Sequence, residues 1–397
     1  MKSVQAAWVV PIDRRPIQNG IVDIEDGRIV GLRAPRPGIR ADHLGEVALM
    51  PGLVNAHTHL ELSWMRGRVP PAPKFTDWVK RLFAVRGRPD GALSPEHIAP
   101  IGDAIAEAQR AGTVAVGDIS NSLRAVEPML AAKLDGVVFH ELLGFRERDG
   151  ALLAATQALR TAAAKRGARV SLAPHAPYST SPELFDAIRA AVNDSACNIM
   201  SVHLGESPEE VELLETGTGP WRRMLEMIGA WRDDWEVPRC DPVSYLDRRG
   251  VIDAHTLVVH GVQFDGRALS RLAEIGATVV TCPRSNRWVG VGDPPIERFY
   301  RSGVNVAVGT DSLASVEDLN LFSELKTMRG LAPGVPAHAI LESATANGAR
   351  ALGLGDLGTL APGKRAAIVS VALPPSVDNV EEFLLSGIVP SQMAWVA

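Results

Sequence analysis

Eight short apolar runs recur between residues 51 and 355, and they constrain the fold more than any other feature. They are Leu53–His59, Thr113–Ile119, Val137–Leu143, Arg169–Pro174, Asn198–His203, Thr256–Gly261, Thr278–Cys282 and Val304–Gly309. Between them lie stretches with helical starts and stops. Ser94-Pro95, Ser181-Pro182 and Ser207-Pro208 each set an N-cap serine before a proline at the first helical position. Glu210 stands where a capping box with Ser207 requires an acid. Gly112 and Gly167 end helices ahead of the next run. Strands that alternate with helices pair in parallel, and eight of them close a (β/α)8 barrel. The expected fold class is therefore α/β, with a TIM-like barrel over residues 51–355.

The two ends of the chain read differently. Gly20–Glu25 alternates apolar and polar residues, Asp26-Gly27 is a hairpin signal, and Arg28–Leu32 resumes the alternation. Near the other end, the turn-rich Gly358–Lys364 precedes an apolar run, Ala366–Leu373. Residues 1–50 and 356–397 are expected to combine into one small composite β-sandwich domain; two unrelated appendages are the alternative. The connection from Gly205 to Gly250 is unusually long and carries two helical segments, EEVELLE and WRRMLEMIGAWRDDW, around TGTGP. An over-long strand-to-helix loop on the catalytic face of a barrel often covers substrate. Trp221, Trp231 and Trp235 read as internal packing of that insertion.

Reactive residues of a barrel lie at the C-terminal ends of its strands. Those ends hold His57 and His59 on the first strand, His175 after the fourth, His203 on the fifth, His260 on the sixth and Asp311 after the eighth. Side chains two apart on a strand share a face, so His57 and His59 point the same way. Any one of these residues alone fits a structural role. Together, His57, His59, His203 and Asp311 offer three imidazoles and a carboxylate, a set suited to one divalent ion, Zn2+ or Fe2+, with a position left for water.

Composition narrows the setting. Hydrophobic residues make up 46% of the 397 and charged ones 22%, with a net charge of −5. No long basic run argues for nucleic acid or an anionic membrane as partner. Three cysteines, none in a C-x-x-C pair, fit free thiols in a reducing compartment. No apolar run is long enough to span a bilayer. A soluble, cytoplasmic protein acting on a small molecule is expected; a homodimer is compatible with this, and the sequence does not fix the oligomeric state.

The motifs PGLVNAHTHLE, SVHLGE, VVHG and VGTDS resemble the amidohydrolase superfamily, in the branch that deaminates aminated purines and related rings. The similarity runs over essentially the whole chain. It implies a single-metal site, because two-metal members carry a bridging carboxylated lysine on the fourth strand and RVSLAPH has none. It further implies that the ion lowers the pKa of bound water to about 7. Asp311 then accepts a proton from that water, Glu206 protonates the ring nitrogen, and His260 holds the nucleophile by hydrogen bond. His175, Ser285 and Asn286 match positions that contact the purine in related deaminases. Glu61 continues the inward face of the first strand and is a candidate for the ribose hydroxyls, or a salt-bridged rim residue. Arg146, Arg148, Arg284 and Arg287 are candidate partners for an anionic group on the substrate. HTHLELS, TGTGP, TCPRSN and GTDSLAS most resemble the aminodeoxyfutalosine deaminases of menaquinone biosynthesis, which implies an adenine nucleoside with a carboxyphenyl ketone side chain. Deaminases of adenosine, S-adenosylhomocysteine or guanine, and triazine chlorohydrolases, are the alternatives; a non-enzymatic metal-binding scaffold would be expected to lack some of these residues.

Overall fold

The computed structural model describes residues 1–35, 41–87 and 95–396, so the expected Ser94 cap lies outside the described residues. One sheet holds eight strands in chain order: β1 (Leu53–Thr58), β2 (Thr113–Ser120), β3 (Asp135–Leu142), β4 (Val170–Pro174), β5 (Met200–Leu204), β6 (Thr256–His260), β7 (Thr278–Thr281) and β8 (Asn305–Val308). Every neighbouring pair is parallel. The eight apolar runs of the sequence are these eight strands, with ends moved by at most two residues. They are legible because a parallel strand is covered on both faces and reads as continuous apolar sequence. In β6, for example, all of TLVVH is buried.

Return of the chain from β8 to β1 nearly closes the barrel. The Asp311 N–H donates to the His57 carbonyl at 3.1 Å. The Thr58 hydroxyl donates to the Asp311 carbonyl at 3.0 Å, and these two residues form a single parallel bridge. Gly309 makes this approach possible. A Cβ there would lie 2.6 Å from the His57 carbonyl oxygen, closer than real side chains come.

Two further sheets flank the barrel. Arg28–Arg33, Ile21–Glu25, Lys2–Gln5 and Asp42–His43 form one, with Asp26 (φ 48°) and Gly27 (φ 72°) making the tight turn that Asp-Gly favours. The other sets Ile368–Ala372 between Val47–Pro51 and Met393–Trp395, so strands from both ends of the chain share it. Val4, Val22 and Ile29 of the first sheet and Leu49 and Ile368 of the second belong to one apolar cluster. No helix among the described residues is long and apolar enough to cross a membrane.

Three helices position the site. Helix α1 (Phe75–Arg86) follows β1, while α2 (Pro208–Thr216) and α3 (Pro220–Met227) follow β5. Ser207 caps α2 by accepting the Glu210 N–H, and Ser181 caps Pro182–Asn193 in the same way through Leu184. The capping box is only half formed. The Glu210 carboxylate reaches past the cap to the N–H groups of Gly205 and Glu206 at 2.9 and 3.0 Å. Helix α3 stops at Met227, short of the expected WRRMLEMIGAWRDDW. The Ala230 and Trp231 N–H groups fold back onto the Leu225 carbonyl around Gly229, which has φ 69°. Trp231 and Trp235 then pack on Phe145, with ring centroids 5.8 and 5.6 Å away, as internal packing of the insertion.

Candidate functional site

The C-terminal ends of the strands converge on one point. His57 is fully buried, and its ring centroid lies 5.0 Å from those of His59 and His203 and 5.9 Å from that of His260. Asp311 faces the first pair, with Oδ1 3.4 Å from His59 Nε2 and 3.7 Å from His57 Nε2. Two triads share His57: His57, His203 and His260, and His57, His59 and Asp311. Within each, the ligating atoms lie within 4.8 Å of one another. Among the described residues, neither ring nitrogen of His57 has a hydrogen-bond partner. A buried imidazole left bare in this way is costly unless something else takes its lone pair. Three imidazoles and a carboxylate suit a divalent transition-metal ion, so the residues fit the expected centre.

Supporting hydrogen bonds aim these groups. The His203 Nδ1–H donates to the His175 carbonyl at 3.0 Å, which leaves Nε2 as the free lone pair. Asp311 Oδ2 accepts from the hydroxyls of Ser285 (2.5 Å) and Ser315 (3.1 Å), which turns Oδ1 toward the histidines. The Asn55 side chain accepts the Thr310 N–H at 3.1 Å and donates to its hydroxyl at 2.8 Å, fixing the segment that carries Asp311. His260 Nδ1 accepts from the Asn286 amide at 3.0 Å. A neutral His260 therefore carries its proton on Nε2, which lies 3.5 Å from Glu206 Oε1. Both His260 (φ 76°) and Asp311 (φ 62°) occupy the left-handed region, an uncommon conformation that concentrates at functional sites.

Burial sets the charges. It drives the His203 pKa down to about 3, with neighbouring His175 and His57 adding to the fall, and drives His59 well below its ordinary value. Neutral imidazoles are the form a metal ion needs. Burial also pushes the Glu206 carboxyl well above its usual range, helped by the Asp311 charge. Burial opposes ionisation of Asp311 as well, but His57, His59 and His260 prevail and hold its carboxyl well below the usual range. Two carboxyls in one cavity are thus driven apart, one toward proton donor and one toward proton acceptor.

The cavity has a volume of about 320 Å3 and contains His59, His175, His203, Glu206, His260 and Asp311 at its polar end. Its apolar wall comes from Phe75, Trp78 and Leu82 on α1 and from Trp221, Met224 and Leu225 on α3. Trp221, expected to pack internally, stacks on Tyr178 at 3.9 Å and faces the cavity with it.

Several expected contacts are engaged elsewhere. Glu61 is buried, and its carboxylate accepts from the Ser120 and Ser122 hydroxyls and from the N–H groups of Asn121 and Ser122, so it does not line the cavity. Ser285 and Asn286 are wholly buried and support Asp311 and His260 in place of the expected purine contact. The four expected arginines are held by protein groups away from the cavity wall: Arg146 by the Gly229 carbonyl, Arg148 by Asp234, Arg284 by Asp318 and Arg287 by Asp293. Among the described lining residues the one Lys or Arg is Arg86, which the sequence reading missed, as it did Glu141 and Asn121. Glu141 stands at the C-terminal end of an expected strand, so the strand-end rule that found the histidines would also have found it.

The chain is similar to known proteins over most of its length. Residues 48–392 match the amidohydrolase family. The chain is 33% identical to an aminodeoxyfutalosine deaminase of Deinococcus radiodurans over 81% of its length and 77% of that protein. It is 31% identical to a 5-methylthioadenosine/S-adenosylhomocysteine deaminase of Moorella thermoacetica, over 93% of this chain and 85% of that one. Among solved structures, an adenosine deaminase from Xanthomonas campestris with bound zinc superposes with a TM-score of 0.81 at 27% identity, covering 98% of this chain and 90% of that one.

Proposed function

Because the chain belongs to the amidohydrolase family, a family of metal-dependent hydrolases, we propose that it removes the amine of an adenosine-like nucleoside as ammonia. The observation that carries this reading is the meeting of His57, His59, His203 and Asp311 beside a buried Glu206, at the polar end of a cavity sized for a small ligand. His57, His59, His203 and Asp311 would hold one divalent ion, most simply zinc. When bound, such an ion makes water acidic enough to lose a proton near neutral pH.

The side chains supply the remaining steps. The attacking water loses a proton to Asp311, whose Oδ1 faces the histidines because Ser285 and Ser315 hold Oδ2. The neutral His260, with its Nε2–H toward the reacting centre, donates to the oxygen as negative charge develops on it. Glu206, kept protonated by burial, gives its proton to the ring nitrogen beside the amine-bearing carbon, so that the ring gains no net charge as that carbon becomes tetrahedral. The proton taken by Asp311 passes to the departing amine, the new hydroxyl returns its remaining proton to Glu206 as it becomes the carbonyl, and ammonia leaves. The net change is water consumed, the carbon–nitrogen bond broken and a ring carbonyl formed.

Within this class the best-fitting substrate is 6-amino-6-deoxyfutalosine, on the route to menaquinone: the aromatic wall of Phe75, Trp78, Tyr178 and Trp221 suits an arylketone tail. The shortage of cations on that wall favours 5′-methylthioadenosine as the second reading, since its tail is apolar and uncharged. The test is a comparison of kcat/KM for these two nucleosides, S-adenosylhomocysteine and adenosine, followed through the change in purine absorbance. Aminodeoxyfutalosine should exceed the others; preference for 5′-methylthioadenosine replaces the first reading by the second, and no ammonia from any of them removes both.

A further inference from the structure

The cavity wall holds a second polar cluster, apart from the residues assigned to the metal and to proton transfer. Asn121, just past β2, donates through Nδ2 to Glu141 Oε2 at 2.9 Å and accepts through Oδ1 from Arg86 Nη2 at 2.7 Å. Arg86 is the last residue of α1, and its side chain is mostly buried. The Glu61 carboxylate lies 3.8 Å from the same Nη2, and among the described residues the rest of the guanidinium's fork of donors has no hydrogen-bond partner. Glu141 is 5% exposed, and among the described residues its Oε1 has no hydrogen-bond partner. His203 Nδ1 lies 3.6 Å from that oxygen but donates instead to the His175 carbonyl. Arg86, Asn121 and Glu141 all line the cavity.

The charge around Arg86 limits what it can bind. Glu61 and Glu141 already stand near the one guanidinium, so a carboxylate brought by a ligand would find its charge shared with two acidic side chains. A neutral group that can both donate and accept fits better, and vicinal hydroxyls do both. Position points the same way. On the nucleoside deaminase reading the reacting ring sits at the polar end of the cavity, where the His175 and His203 rings lie 4.9 Å apart, and Glu141 lies next to His203. The substituent attached to that ring is what would next meet Glu141, Asn121 and Arg86.

We propose that Arg86 and Glu141, bridged by Asn121, form the subsite for the sugar hydroxyls of the substrate, Arg86 donating and Glu141 accepting. This assignment rests on the nucleoside deaminase reading and determines specificity for ribosides over deoxy sugars.

The test crosses enzyme variants with substrates. Arg86→Gln and Glu141→Gln are each assayed, alongside the unaltered enzyme, on adenosine and on 2′,3′-dideoxyadenosine, with circular dichroism and metal content checking that each variant folds and loads. The expected result is a fall of roughly 10- to 100-fold in kcat/KM on adenosine, as for hydrogen bonds to charged groups, with little further loss on the dideoxy nucleoside. The unaltered enzyme should itself prefer adenosine by a similar factor. Equal loss on both substrates, in a variant that is folded and loaded, overturns the proposal and makes the cluster structural. No effect on either substrate also overturns it. If the unaltered enzyme deaminates no adenine nucleoside, the parent reading fails first, which the riboside control reports separately.

Discussion

At the scale of single residues, the proposed chemistry turns on keeping Glu206 protonated and Asp311 charged within one cavity. Glu206 is wholly enclosed, with Asp311, Glu210 and Glu209 adding to the rise in its pKa, while three imidazoles hold Asp311 ionised. Glu206→Gln keeps the shape and hydrogen-bonding capacity but carries no transferable proton. It should retain the metal, by elemental analysis, while kcat falls by roughly 100- to 10,000-fold, the usual contribution of a positioned acid or base. Normal turnover in that variant would remove Glu206 from the mechanism. The residues whose placement was readable in advance were those set by strand position alone, such as His57, His203 and Asp311. Of the two readings of Glu61, the ribose contact fails because its carboxylate is taken by the turn after β2, a contact 59 to 61 residues away in sequence, while the ion-paired reading matches its approach to Arg86 at 3.8 Å. Arg86 could not be found by that rule, since it ends a helix and carries no strand-end mark.

At the scale of elements, the segment after β5 must hold Glu206 still, and α2 does this with a side chain. Glu210, in the first turn of α2, is fully buried and accepts the N–H groups of Gly205 and Glu206 with its two oxygens. Gly205 has φ 62°, and the Phe264 ring fills the space a Cβ would need, so this position requires glycine. Glu210→Gln replaces one acceptor oxygen by an N–H2 group that faces a backbone N–H. The expected outcome is a drop of about tenfold or more in kcat with metal content retained and KM little changed, because the substrate-lining wall is untouched. An unchanged kcat would show that Glu206 needs no such clamp. The capping-box pattern made Glu210 visible in the sequence, but as a cap for Ser207; its reach to the preceding loop depends on tertiary approach. The same limit explains α3. Its periodicity runs on toward Trp235, yet Gly229 and the return to the Leu225 carbonyl end it at Met227. Helix α1 was open to discovery: Phe75, Trp78, Val79, Leu82 and Arg86 follow helical spacing, and all of them line the cavity.

At the scale of the whole molecule, the barrel is anchored by sheets that draw on both ends of the chain. The N-terminal sheet has a charged fastening of its own. Asp23 is 8% exposed and accepts from Arg33 through Nε (2.7 Å) and Nη2 (2.8 Å) and from the Ser3 hydroxyl (2.5 Å). Hydrogen bonds from Arg33 are the main reason its carboxyl titrates below the ordinary range, with burial opposing and Ser3 assisting. A depressed carboxyl pKa means that the unfolded chain binds this proton more readily than the folded one. The stabilisation is therefore present above the unfolded value of about 3.9 and is lost as pH falls through the lower folded value. Asp23→Asn keeps the size but loses the charge. At pH 7 the variant should unfold at lower denaturant than the unaltered protein, by the equivalent of about 1–3 kcal/mol. As pH falls below about 4, the two curves should converge, because the unaltered protein then loses the same charge. A constant offset at pH 7 and pH 3 would assign the pair a packing role with no charge in it. No offset at either pH would mean that the terminal sheet opens without weakening the barrel.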